Sequence, residues 1–183
     1  MKHVLLLVTL LVALPAWSQK GVFLTGEAFQ RQAFPAGEPA LQTLWLTGEL
    51  RAKAEAVLNH SFAGLRVRYW AHEGRTAWVF DEIGKELPIT IGVVVEGDVI
   101  EDVAILEFRE SRGSEVRFPF FTRQFEKLGL LKKGDRLGLS GHVDGVTGAT
   151  LSVRAVKKVA TLALLFHRQT PQGKAILAGP VTP

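Results

Sequence analysis

No cysteine occurs in the 183 residues, which excludes disulfides, thiolate metal sites and thiol nucleophiles and leaves the fold to its core alone. Tyrosine and methionine occur once each, and the phenylalanines and tryptophans are not interleaved with a Lys/Arg stripe, which argues against a nucleic-acid interface. Past the first 18 residues every apolar run is broken by a charge within a few positions, so no later stretch reads as a membrane span. There is no Gly-x-Gly-x-x-Gly and no P-loop, which argues against a Rossmann or nucleotide site. No Gly-x-Ser-x-Gly elbow is present either, and Ser140-Gly141-His142 lacks the strand-to-helix setting that a hydrolase nucleophile requires. The five histidines are scattered, with no pair at metal-ligand spacing on one helix.

What is present is a globular balance, 47% apolar against 22% charged, in a length that suits one domain with short extensions. Residues 1–18 read as a secretory signal: Lys2 and His3 begin it, Val4 to Leu14 is apolar, and Pro15-Ala16-Trp17-Ser18 ends in small residues with cleavage expected after Ser18. The alternative is an uncleaved N-terminal anchor, although the apolar run is short for a bilayer. Loss of Lys2 takes the formal charge from +4 to +3, and the expected location is periplasmic or otherwise extracytoplasmic.

Residues 19–64 read as an irregular lead-in, broken by Pro35, Gly37 and Pro39 with at most a turn of helix near Ala28, followed by an amphipathic helix capped by Thr47 and ending near His60. Strands are expected over 65–71, 76–80, 89–96 and 99–108, with hairpin turns at Glu73-Gly74 and Gly97-Asp98. A helix is expected over 118–128, a loop over 129–134, a strand over 136–143 and a last amphipathic helix from Ser152 to about His167. Residues 170–183 read as a loose Pro/Gly-rich tail. This order predicts an α+β domain over 65–169, a mainly antiparallel sheet with helices packed on one side.

Two stretches carry candidate chemistry. In Asp144-Gly145-Val146-Thr147-Gly148-Ala149-Thr150-Leu151-Ser152, small residues let another group approach the backbone, and Thr150 is delivered to the mouth of a helix. Unpaired N–H groups and the positive dipole end favour an anion there, a phosphate being the working idea. Read locally, Thr150 or Ser152 serves equally well as an ordinary N-cap. The second stretch, Glu107 to Glu115, places Arg109, Glu110, Ser111, Arg112 and Gly113 in a polar loop at the end of a long strand; by itself it reads as a charged surface loop. His142, two residues before Asp144, reads as a surface histidine, and Glu82, Glu86, Glu107, Glu110 and Glu115 offer carboxylates with no pairing rule.

The run from Asp144 to Thr150 resembles the flavinylation motif Asp-Gly-x-Ser/Thr-Gly-Ala-Thr of the FMN-binding domain family, known from flavin-carrying components of the sodium-pumping NADH:quinone reductase and of related electron-transport complexes. Every prescribed position is matched. The likeness extends through Trp78 to Asp81, Ile89 to Val95, Val103 to Phe108 and Gln124-Phe125, covering roughly 75–167. It implies FMN joined through a phosphoester to Thr150 by an ApbE-type flavin transferase, in an exported electron carrier rather than a stand-alone enzyme. The redox donor and acceptor it implies include a membrane reductase. Asp144, Gly145, Thr147, Gly148, Ala149, Leu151 and Ser152 would shape the acceptor turn. By the same resemblance Glu110, Ser111, Arg112 and Gly113 stand where the family has Glu-Thr-Pro-Gly beside the flavin; Glu110 and Gly113 keep their places and the proline does not. The competing reading is an exported binding, scaffold or sensory module of the same fold without a flavin redox cycle.

Overall fold

Alternating apolar positions in four consecutive runs build the centre of a six-stranded sheet. The computed structural model describes residues 21–178; the expected signal over 1–18 and the final five residues lie outside them. The strands are β1 (Gly21–Val22), β2 (Ala40–Trp45), β3 (Arg66–His72), β4 (Arg75–Ile83), β5 (Pro88–Glu96) and β6 (Val99–Phe108), in the spatial order β1-β6-β5-β4-β3-β2. Every pairing is antiparallel. Both expected hairpin turns are found, with Glu73 at φ 49 and Gly97 at φ 65 in the left-handed region that tight turns need.

Helix α1 spans Gly26–Ala33 and α2 spans Gly48–Leu58. Thr47 caps α2 as expected, its hydroxyl accepting the Leu50 N–H at 3.3 Å. A short α3 (Pro119–Thr122) precedes α4 (Thr150–His167), which has 18 residues and is about 27 Å long. The apolar stripe of α4, Val153, Val156, Val159, Ala160, Ala163 and Leu164, joins Trp78, Ile91, Val93 and Ile105 from one sheet face, with α2 alongside, in the main core. The α+β class and the antiparallel sheet are as expected. In addition α1 lies on the opposite face, where Phe29, Ala33 and Phe34 pack on Ala77, Val94 and Leu106. Gly92 makes room for this: a Cβ there would come within 2.6 Å of the Phe29 ring.

Several boundaries differ from the sequence reading. The lead-in is not irregular throughout, since β1 and β2 supply the two edges of the sheet. The helix expected over 118–128 is a series of short turns: a 3₁₀ turn Ser114–Arg117, the single turn of α3 and a 3₁₀ turn Arg123–Phe125. Pro119 opens α3 but the chain leaves αR at Glu126, and Lys127 is left-handed at φ 63. The loop expected over 129–134 contains β7 (Leu130–Lys133), which pairs with β8 (Arg136–Leu139), so the strand expected over 136–143 stops at Leu139. Residues 171–178 are not loose but form helix α5 (Pro171–Ala178). Buried Thr170 caps it, accepting the Gly173 N–H at 3.1 Å, and Pro171 sits where a missing N–H costs nothing.

Candidate functional site

The two stretches singled out in the sequence meet. Gly113 has φ 89, and a Cβ added to it would lie 2.9 Å from Ser152 Oγ and 3.1 Å from Ala149 Cβ. The loop after β6 is therefore laid directly on the turn that opens α4. Farther along, the Asp144 N–H donates to Gln124 Oε1 at 2.7 Å, while Gln124 Nε2 donates to the Phe120 carbonyl. The segment 113–124 thus grips the turn 144–152 at both ends.

The turn itself is built by a bond from the Ala149 N–H to the Val146 carbonyl at 2.9 Å, with Gly148 at φ 81 in the third position, the place where a type II turn demands a positive φ. Ala149 is the N-cap of α4 and provides no side-chain cap, and the first backbone bond of the helix is Val153 N–H to Ala149 carbonyl, 2.9 Å. Thr150 is consequently the first helical residue. The N–H groups of Thr150, Leu151 and Ser152 precede that bond and have no acceptor among the described residues. Thr150, Asp144, Gly145, Thr147, Gly148 and Leu151 are exposed, whereas Ala149 and Ser152 are buried beneath them. The N-cap role that the sequence offers to Thr150 or Ser152 falls instead to a residue with no capping oxygen.

Glu110 does something the sequence does not show. It is buried, and its Oε1 accepts three backbone N–H groups, from Lys85 and Glu86 at 2.6 Å each and Leu87 at 2.9 Å. Burial alone would raise its pKa, but the three N–H groups outweigh it and hold the carboxyl below its ordinary value. Its carboxylate fastens the β4–β5 turn to the loop that carries Gly113. Ser111 and Arg112 between them are exposed. Arg109 is engaged with Glu107 and, at 3.0 Å, with the Pro88 carbonyl. His142 Nε2 lies 3.2 Å from Asp144 Oδ1 with both side chains exposed, so it is the surface histidine expected.

One residue is placed by the sequence only on a polar helix face. Arg154 is exposed four positions after Thr150, hence on the same side of α4, and has no ion-pair partner among the described residues. Arg112, next to Gly113 on the facing loop, is exposed as well. The i, i+4 spacing was the available signal.

Of the other carboxylates, Glu86 lies 3.0 Å from Lys85 Nζ and Glu107 is engaged with Arg109. Glu82 is buried between His60 Nε2 at 2.9 Å and Lys158 Nζ at 2.8 Å. Among the described residues no group of three or more His, Asp or Glu could hold a metal ion, and no helix is long and apolar enough to cross a membrane.

An exposed hydroxyl, three unclaimed N–H groups, a glycine-lined approach and a cation one turn along the same face of α4 make a place suited to a phosphate joined to Thr150. The residues present therefore fit the phosphate end of a flavin mononucleotide. No curated protein matches the chain at a significant level. Residues 84–165, from the β4–β5 turn to the last turn of α4, match the model of the FMN-binding domain, and over that stretch the chain is similar to this family.

Proposed function

We propose that the protein is an exported electron carrier whose FMN is held covalently by a phosphoester to Thr150, formed by an ApbE-type flavin transferase that moves FMN from FAD onto the Thr150 hydroxyl with AMP as the leaving group. The observation that carries this is the exposed Thr150 hydroxyl at the uncapped N-terminus of α4. A threonine kept only to cap the helix would stand one position earlier, where Ala149 stands. The similarity of the matched stretch to the FMN-binding domain family supports a flavin and is consistent with electron transfer.

FMN, when bound, supplies one- and two-electron redox chemistry. The chain's own residues hold and orient. The N–H groups of Thr150, Leu151 and Ser152 donate toward the phosphate, and the helix dipole adds a favourable term of about 0.3–1 kcal/mol. Arg154, on the same face of α4, would balance its charge. Gly145 and Gly148, with open space where a Cβ would be, leave the approach clear for the transferase. Gly113 and Glu110 keep the facing loop in place. Tethering suits an exported carrier, because a dissociable cofactor would be diluted outside the cytoplasm. The donor and acceptor are redox partners in the same compartment, a membrane reductase among them. Co-expression with the transferase, followed by denaturation, tests the reading: yellow colour should stay with the unfolded chain, and Thr150→Ala should lose it while remaining folded. A wild-type chain left colourless after co-expression refutes it.

A further inference from the structure

The outer edge of the sheet has a property unconnected with the flavin reading. Strand β2, Ala40-Leu41-Gln42-Thr43-Leu44-Trp45, is the last strand on its side and carries no charge and no proline. Natural edge strands are usually blunted by such residues, by bulges or by a covering element, because an unpaired edge templates another strand. Here five of the six residues are exposed, with Leu41 at 56% and Trp45 at 63%.

The Leu46 N–H donates to the Leu65 carbonyl at 2.9 Å, toward β3. Backbone groups alternate sides along a strand, so Leu44, Gln42 and Ala40 also face β3, and the N–H and C=O of Leu41, Thr43 and Trp45 face outward. The register agrees, since Leu41, Thr43 and Trp45 stand opposite Trp70, Arg68 and Arg66. Directly opposed residues of an antiparallel pair share a face, so a two-fold pairing of identical strands must be centred on a residue. A centre at Gln42 or Leu44 would bond only two of the three outward-facing residues of each strand, whereas a centre at Thr43 bonds all three.

We propose that two copies of the chain associate through antiparallel pairing of β2 centred on Thr43. Thr43 then faces its own copy and each Leu41 faces the other copy's Trp45. The central pair exchanges two backbone bonds and so does each Leu41–Trp45 pair. Leu41 and Trp45 cover one another on the same face, an aromatic–aliphatic cross-strand contact of the stabilising kind. Arg66 and Arg68 on β3 would be the nearest like charges, but the two β3 strands would stand about 14 Å apart, beyond the screening length at physiological salt. The N-terminal side of the described chain offers no competitor, because β1 lies at the far edge of the sheet.

The absence of cysteine makes the test clean. In the pairing, the two Thr43 Cα atoms lie about 5.5 Å apart, within disulfide reach, whereas the two Leu41 Cα atoms lie roughly 13 Å apart along the strands. Thr43→Cys should therefore cross-link to itself on mild oxidation and Leu41→Cys should not, while sedimentation velocity of the exported wild-type chain should show a dimer that dissociates on dilution. Leu41→Lys, at an exposed position, should shift that equilibrium to monomer with an unchanged circular dichroism spectrum. A monomer at all concentrations, or equal cross-linking at positions 41 and 43, overturns the proposal. So does a dimer that appears only when the chain is truncated after Ala178, since the chain's own last residues would then be the occupant of the edge.

Discussion

Replacing Gly113 by alanine perturbs the contact on which the site geometry rests. Two costs add. At φ 89 an L side chain is forced into the left-handed region, which costs about 1–2 kcal/mol. Its Cβ also meets Ser152 Oγ at 2.9 Å and Ala149 Cβ at 3.1 Å, both on buried residues, and overpacking of this kind costs about 1–3 kcal/mol. Gly134 separates the two: it has φ 60 but nothing within 4 Å of an added Cβ, so Gly134→Ala carries the backbone cost alone. Urea unfolding followed by the fluorescence of buried Trp78 measures both variants. With a slope of about 1–3 kcal/mol per molar urea, Gly113→Ala should lower the midpoint by roughly 1–2 M and Gly134→Ala by less than half of that. Equal shifts would mean that the loop does not lie on the α4 turn, and the account of the site would fall with that contact.

Three further outcomes follow from the polar network. Glu110→Ala leaves three backbone N–H groups at 85–87 without their acceptor and should cost about 1–3 kcal/mol; because the folded pKa of Glu110 is lowered, its stabilisation is full above the unfolded carboxyl pKa and fades as pH falls through the folded one, so a variant whose stability loss were the same at neutral and strongly acid pH would contradict the assignment. Thr76→Val keeps shape but strips Trp78 Nε1 and His167 Nδ1 of a shared partner, each now 2.8 Å away, and should cost about 2–4 kcal/mol in chemical denaturation; a neutral substitution would refute the network. His60 should titrate above its ordinary value in an NMR pH series, raised first by the Ser61 carbonyl and then by Glu82, so its contribution to stability is full below the unfolded pKa and lost as pH rises through the folded one; Glu82→Gln should bring the value down, and an unmoved titration would exclude the pairing.

The centre of the fold was readable because its signals are local. Period-two alternation around Val67, Tyr69 and Trp78, turn chemistry at Glu73-Gly74 and Gly97-Asp98, and the stripe along Val153, Val156, Ala160 and Ala163 need no tertiary information. The periphery was less legible. Strand β2 is defined by pairing with β3, and its own residues are exposed on both faces, so alternation has nothing to mark. Phe121 and Phe125 have helical spacing because both enter the core, although the backbone between them is split into short turns. The Pro and Gly of 171–173 read as breakers, yet Pro171 starts α5 and Gly173 allows close contact with the His167 carbonyl. In the site, the acceptor turn and Gly113 were legible as motifs. Burial of Glu110 against 85–87 was not, because it depends on how distant segments are brought together; the place of Arg154 four positions after Thr150 is a local spacing that the sequence does carry.

Intact mass and peptide mapping of the full chain, co-expressed with an ApbE-type transferase, test whether the Thr150 oxygen carries a flavin phosphate. The expected mass is that of the chain without its signal plus one FMN, with the addition confined to the peptide containing Thr150 and absent from Thr150→Ala. A bare mature chain, or an adduct on another residue, would contradict it.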